Sequence, residues 1–169
     1  MASSSVGPLL SALAVLGLDL WTKAWIVREM PLYSTEEIIP GLFNLVHTQN
    51  KGIAFSLFAD SGPLVREWIL PILSAVAIAF VIGYFWRISK GAVWVRFALA
   101  LILAGAAGNL YDRMMYGYVT DFLDFYVSDW HWPAFNVADS AITVGACALL
   151  LDSLRKPEED AGAERTQAA

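Results

Sequence analysis

Four aspartates, Asp112, Asp121, Asp124 and Asp139, gather at the ends of two segments that otherwise read as lipid-facing. One apolar run closes with Gly105-Ala-Ala-Gly-Asn-Leu-Tyr-Asp-Arg113, and the next opens with Phe135-Asn-Val-Ala-Asp-Ser140. Carboxylates are costly beside hydrocarbon, so ionisable groups placed there point to function. Two carboxyls sharing a site do not both ionise readily, and one keeps a proton. The ionised partner can deprotonate a water that attacks an amide carbonyl. The protonated partner can hydrogen-bond the developing oxyanion, and a carboxyl then protonates the departing nitrogen.

The flanking residues sort the acids. Asp112 is followed by Arg113 and reads as half of a surface ion pair; Asp124 and Asp129 lie in a polar loop where solvated acids are ordinary. Asp121, near Val119 and Phe122, and Asp139, among Val137, Ala138 and Ala141, have the most apolar settings. That favours the pair Asp121 and Asp139 without excluding the other pairings. Taken alone, Asp139 also reads as a helix-start carboxylate, three residues after a capping Asn136.

Other chemistries fit less well. Ser140 and Lys23 lack the nucleophile-elbow signature of a hydrolytic serine. His47 and His131 have no metal-ligand spacing, and His131 between Trp130 and Trp132 reads as an interfacial belt residue. Cys147 is the single cysteine and lies in an apolar run, where it reads as a small buried packing residue.

The elements that must hold these acids are membrane helices. The 169 residues suit one domain, are 57% hydrophobic and 16% charged, and have mean hydropathy +0.54. The net charge of −5 comes largely from the C-terminal acids Glu158, Glu159, Asp160 and Glu164, so no basic surface suggests nucleic acid. Spans are predicted at about 8–27, 68–86, 93–111 and 136–154, within a single domain over 1–156. No Lys or Arg precedes Lys23, so the first run reads as a retained span and not a cleavable signal. Asp19 and Lys23, four apart on that helix, read as an ion pair near the membrane surface. Gly105 and Gly108 would allow close helix approach.

Between the first two spans, about 29–66 forms a small β-cradle. Leu42–Thr48 and Ile53–Phe58 read as a hairpin across the Gln49-Asn-Lys-Gly52 turn, leaning on membrane or helices through Phe43, Phe55 and Phe58. Residues 112–135 form a second loop on the same side, and 157–169 read as a disordered tail. Arg87, Lys90, Arg96, Arg155 and Lys156 mark the cytoplasmic side. Both termini are then cytoplasmic, with the cradle and the four acids outside.

Five blocks in order now carry a resemblance over about Leu16 to Leu154: Asp19-Leu-Trp-Thr-Lys23, Asn50-Lys-Gly-Ile-Ala-Phe55, Gly105–Arg113, Val119-Thr-Asp-Phe122 and Phe135–Ser140. The chain resembles the lipoprotein signal peptidases, the type II signal peptidases of bacteria. The resemblance implies a membrane aspartic endopeptidase with four helices and an extracytoplasmic β-cradle, in the inner membrane, using no metal or cofactor. It implies cleavage of diacylglyceryl-modified prolipoproteins on the amino side of the modified cysteine. Asp121 and Asp139 match the family's catalytic dyad. Asn50, Gly52, Asn109, Arg113 and Asn136 match positions lining its site, and Asp19 and Lys23 match a mainly structural pair. Lys51 departs from the family's pattern. The rival reading is a small transporter or channel using carboxylates as a proton or cation relay, though such relays want acids near mid-membrane. A structural assembly subunit, the third reading, would leave the two apolar-flanked acids unexplained.

Overall fold

The computed structural model describes residues 6–52, 62–88 and 92–167. Among the described residues there are four α-helices: α1 (Val6–Glu29), α2 (Leu70–Arg87), α3 (Val93–Tyr116) and α4 (Val137–Gln167). A π-helical turn, Val65–Ile69, leads into α2, and Pro71 follows directly where the helix changes type. Four segments within these helices are long and apolar enough to cross a membrane: Val6–Glu29, Glu67–Arg87, Val93–Tyr116 and Val137–Leu154. The backbone of α4 continues past that last segment to Gln167, even though Pro157 and Gly162 on the way are poor helix formers.

The central helix is α3. Half of its apolar window is buried, against 17% for each of the other three. Apolar burial gives little drive to helix association in lipid, so close packing of small residues has to hold the bundle. A Cβ on Gly105 would lie 2.2 Å from the Ala138 carbonyl oxygen of α4, and one on Gly108 would lie 2.4 Å from Asp19 Oδ2 of α1. The close approach expected at these glycines is present. At the other end of the bundle Arg96 is buried over the Phe85 ring, 5.0 Å from its centroid. Its Nη2 donates to the Phe85 carbonyl at 3.4 Å.

Outside the bundle lies a four-stranded antiparallel sheet, ordered β1 (Thr35–Ile39), β2 (Phe43–Asn50), β3 (Val119–Val127) and β4 (Trp130–His131). The hairpin partner of β2 is therefore the preceding strand β1, and β3 borders its other edge. Ile53–Phe58, expected as that partner, lies outside the described residues. The connection over 112–135, read from sequence as a loop, supplies β3 and β4. Gly117 turns α3 into β3: it adopts φ +78 at the helix end and donates its N–H to the Arg113 carbonyl at 3.0 Å. Ile26 of α1 and Met30, just beyond its end, pack on Phe122 and fix the sheet on the bundle. Cys147 is exposed on the outward face of α4, not packed inside, because Gly145 and Ala141 take the inward positions.

Candidate active site

Asp121 sits near the start of β3, and Asp139 in the first turn of α4. Both line one cavity of about 630 Å3, together with Asn50, Asn109 and Arg113. Trp132 and Phe135 wall its upper part, while Ala77 of α2, Ile102 of α3 and Ile142 of α4 carry it down between the helices. The lining is mostly apolar, with the polar groups gathered at one end.

Each carboxylate is held by asparagine amides. Asn50 Nδ2 donates to Asp121 Oδ2 at 3.0 Å, across a diagonal of the β2–β3 ladder in which Asn50 faces Val119. Asn136 Nδ2 donates to Asp121 Oδ1 at 2.7 Å, and Asn109 Nδ2 to Asp139 Oδ1 at 2.7 Å. Asn136 and Asp139 form the reciprocal cap suggested by their spacing. The Asp139 N–H donates to Asn136 Oδ1 at 2.9 Å, and the Asn136 N–H to Asp139 Oδ2 at 3.3 Å.

An amide has one accepting and one donating end, and a donor on the accepting end fixes its direction. All three asparagines are fixed in this way. Gly52 N–H donates to Asn50 Oδ1 at 2.9 Å, Lys23 Nζ to Asn109 Oδ1 at 3.0 Å, and Asp139 N–H to Asn136 Oδ1. Every amide therefore turns its NH2 toward an aspartate. Arg113 closes the wall, donating from Nη2 to the Gly52 carbonyl at 2.9 Å and from Nη1 to the Asn109 carbonyl at 3.3 Å.

Burial pushes the Asp121 carboxyl up to about 7, and the charge of Asp139 pushes the same way. Hydrogen bonds from Asn50 and Asn136, and the charge of Lys23, oppose this without overcoming it. One acid is thus poised to hold a proton near neutral pH beside a second acid, at the polar end of a mostly apolar cavity. That is the arrangement required for acid–base cleavage of an amide.

The sequence-derived candidates mostly converge here. Asp121, Asp139, Asn50, Asn109 and Arg113 line the cavity, and Asn136 and Gly52 are buried against it. Asp19 and Lys23 do form an ion pair, at 2.8 Å, but at 0% and 3% exposure they lie inside the bundle and not at its surface. Asp112 pairs with Lys23 at 3.2 Å, not with Arg113, because it faces inward one turn beyond Gly108 and Asn109. Asp124 lies apart from the cavity. It is buried in the sheet, accepting from Asn44 Nδ2 at 2.9 Å, with His131 Nδ1 3.0 Å away. His131 is also stacked on Tyr126, with centroids 5.0 Å apart.

With this geometry in view, comparison with known proteins is decisive. Residues 11–155 match the family described as signal peptidase (SPase) II. The chain belongs to the signal peptidase II family. Among curated relatives, a lipoprotein signal peptidase of Solibacter usitatus is 44% identical over 153 residues, covering 89% of this chain and 92% of the relative. Another, of Cupriavidus taiwanensis, is 49% identical over 158 residues, covering 92% of this chain and 88% of the relative. A solved bacterial membrane enzyme, determined by the in meso method at 2.3 Å, superposes with a TM-score of 0.79 at 28% identity, covering 90% of both chains. Membership in the signal peptidase II family makes the chain a multi-pass membrane peptidase, and supports hydrolysis over the transporter reading.

Proposed function

We propose that the protein cleaves signal peptides from prolipoproteins on the amino side of a diacylglyceryl-modified cysteine, with Asp121 and Asp139 as its catalytic dyad. The observation that carries this is the pair of carboxyls at the polar end of one apolar cavity, each fixed by oriented amides. Curated relatives bearing the name lipoprotein signal peptidase support the substrate.

Asp121 holds the shared proton and Asp139 is the base. Asp139 takes a proton from a water, whose oxygen bonds to the scissile carbonyl carbon. The carbonyl oxygen gains negative charge and accepts a hydrogen bond from Asp121. The C–N bond then breaks as a carboxyl transfers a proton to the departing nitrogen, which leaves as the free amine of the modified cysteine. The signal peptide departs as a carboxylic acid. Asn109 and Asn136 hold Asp139 without competing for the water, and Arg113 shapes the wall over which the peptide lies. No step draws on a metal or cofactor.

The site occupies the end of the bundle formed by the C-terminus of α3 and the N-terminus of α4, opposite the end that carries Arg87 and Arg96. The basic residues Arg87, Lys90, Arg155 and Lys156 of the sequence support a cytoplasmic orientation of that opposite end, and with it a dyad at the outer face of the inner membrane. A substrate anchored by its signal helix and acyl chains then enters sideways from lipid. Those remote groups supply binding that holds the peptide at the dyad. The direct test incubates the purified protein with a lipidated prolipoprotein. Loss of the signal peptide is expected; an intact precursor would overturn the reading.

A further inference from the structure

A buried triad stands behind the dyad and reaches the backbone beside both of its acids. Lys23 Nζ lies 2.8 Å from Asp19 Oδ2 and 3.2 Å from Asp112 Oδ2. Each of these acids also accepts one backbone N–H. Asp19 Oδ1 takes that of Ala138 at 2.8 Å, and Asp112 Oδ2 takes that of Thr120 at 3.2 Å. Ala138 directly precedes Asp139, and Thr120 directly precedes Asp121. The two halves of the dyad, one on a helix and one on a strand, are thus each held one peptide away by a carboxylate, and one lysine clamps the two carboxylates together.

We propose that Asp112 and Asp19, clamped by Lys23, are positioning residues that set the spacing of Asp121 and Asp139 through the backbone of Thr120 and Ala138. The proposal rests on the dyad reading above. Stability alone does not account for the triad. Two anions and one cation out of water carry a large desolvation penalty, and apolar replacement of such groups is often neutral or stabilising. A spacing device does account for it. Ion pairs and backbone bonds are directional, whereas apolar contacts would let helix and strand slide. Gly108 fits the same purpose, since any Cβ there would displace Asp19. Lys23 adds a third route by orienting Asn109 toward Asp139. Spacing matters because the dyad must share one proton and grip one water. A misplacement of about 1 Å from a remote change can lower turnover about a hundredfold.

The test compares Asp112→Asn with Asp112→Leu. Both remove the charge that faces Lys23, but only Asn keeps an oxygen able to accept from the Thr120 N–H and from Lys23, so their difference reads the acceptor that ties the Thr120 backbone to the clamp. Rates on a lipidated prolipoprotein are normalised to folded protein, measured by thermal unfolding. Asp112→Leu is expected to lower kcat about thirtyfold with KM changed less than about threefold, and Asp112→Asn to recover to within about fivefold of the parent. The alkaline limb of the pH–rate profile should also move to lower pH in Asp112→Leu more than in Asp112→Asn, because separating the acids weakens the push of Asp139 on Asp121. Asp112→Ala, which also lacks the acceptor, carries the comparison if Asp112→Leu does not fold. Equal kcat and equal pH limbs for the variants with and without the acceptor would overturn the inference. Asp121→Asn, run alongside, separates the two claims: its inactivity keeps the dyad standing whatever Asp112 does, and its activity would sink the dyad itself.

Discussion

Lys23 Nζ donates to Asn109 Oδ1 at 3.0 Å, and this contact between α1 and α3 decides which way the Asn109 amide faces. Reversed, the amide would set its NH2 against an ammonium that can only donate, and its oxygen against the Asp139 carboxylate. Both contacts would be repulsive. A lysine with no access to the cavity therefore governs a hydrogen bond inside it.

The pH behaviour follows from Asp121. Its carboxyl is pushed up from the model-peptide 3.8 to about 7, chiefly by burial and next by Asp139. Between those pH values the folded state holds a proton that the unfolded state has released, so stability falls as pH rises through the window. Asp121→Asn should remove that slope and gain stability relative to the parent between about pH 4 and 7. Thermal unfolding across this range checks it; parallel curves for the two proteins would contradict it. Parent kcat/KM should decline above about pH 7, as the pair loses its shared proton.

Helix contact predicts a graded response at the glycines. Gly105→Ala drives a Cβ into the Ala138 carbonyl and Gly108→Ala drives one into Asp19, while Gly83→Ala meets open space. The first two should lose about 1–3 kcal/mol in unfolding from detergent, with Gly83→Ala unchanged. A neutral Gly105→Ala would show that α3 and α4 do not approach as described.

Much of this was legible in sequence, for identifiable reasons. Helices declare themselves by long apolar runs, and Asp121 and Asp139 by charge in apolar surroundings. The Asn136–Asp139 cap is local, so its three-residue spacing was enough. Non-local pairing was not legible. Nothing beside Asp112 shows that it faces Lys23, more than eighty residues earlier in the chain; its neighbour Arg113 offered a nearer and incorrect partner. The one available signal was helical spacing, since Gly105, Gly108 and Asp112 share a face of α3 that points into the bundle. In the same way β2 was identifiable as a strand, but its pairing with β3 joins segments separated by α2 and α3.

Orientation is open to labelling. In a Cys147→Ala background, Lys51→Cys should react with an impermeant thiol reagent added outside, and Arg87→Cys should not. Both positions are exposed at opposite ends of the bundle. The reverse pattern would put the dyad on the cytoplasmic face.

Substrate lipid should be read by the cavity. Each buried methylene contributes ~0.8 kcal/mol, so partial seating of two acyl chains outweighs most peptide contacts. A prolipoprotein with its target cysteine replaced by serine, and so unlipidated, should be cleaved about a hundredfold more slowly, equivalent to roughly 2.7 kcal/mol of transition-state binding. Equal rates at matched concentration would show a general membrane aspartic peptidase.

The central claim is that Asp121 and Asp139 act as one catalytic unit, and the most direct measurement is turnover of a lipidated prolipoprotein by Asp121→Asn, Asp139→Asn and the double variant. Each substitution keeps the side-chain size and removes the acid. Each single variant should lose about a thousandfold or more in kcat while remaining folded, and the double variant should be little worse than either. Asp124→Asn, away from the cavity, should keep most of the parent rate. Near-parental turnover by Asp139→Asn, or losses that multiply in the double variant, would contradict a shared dyad.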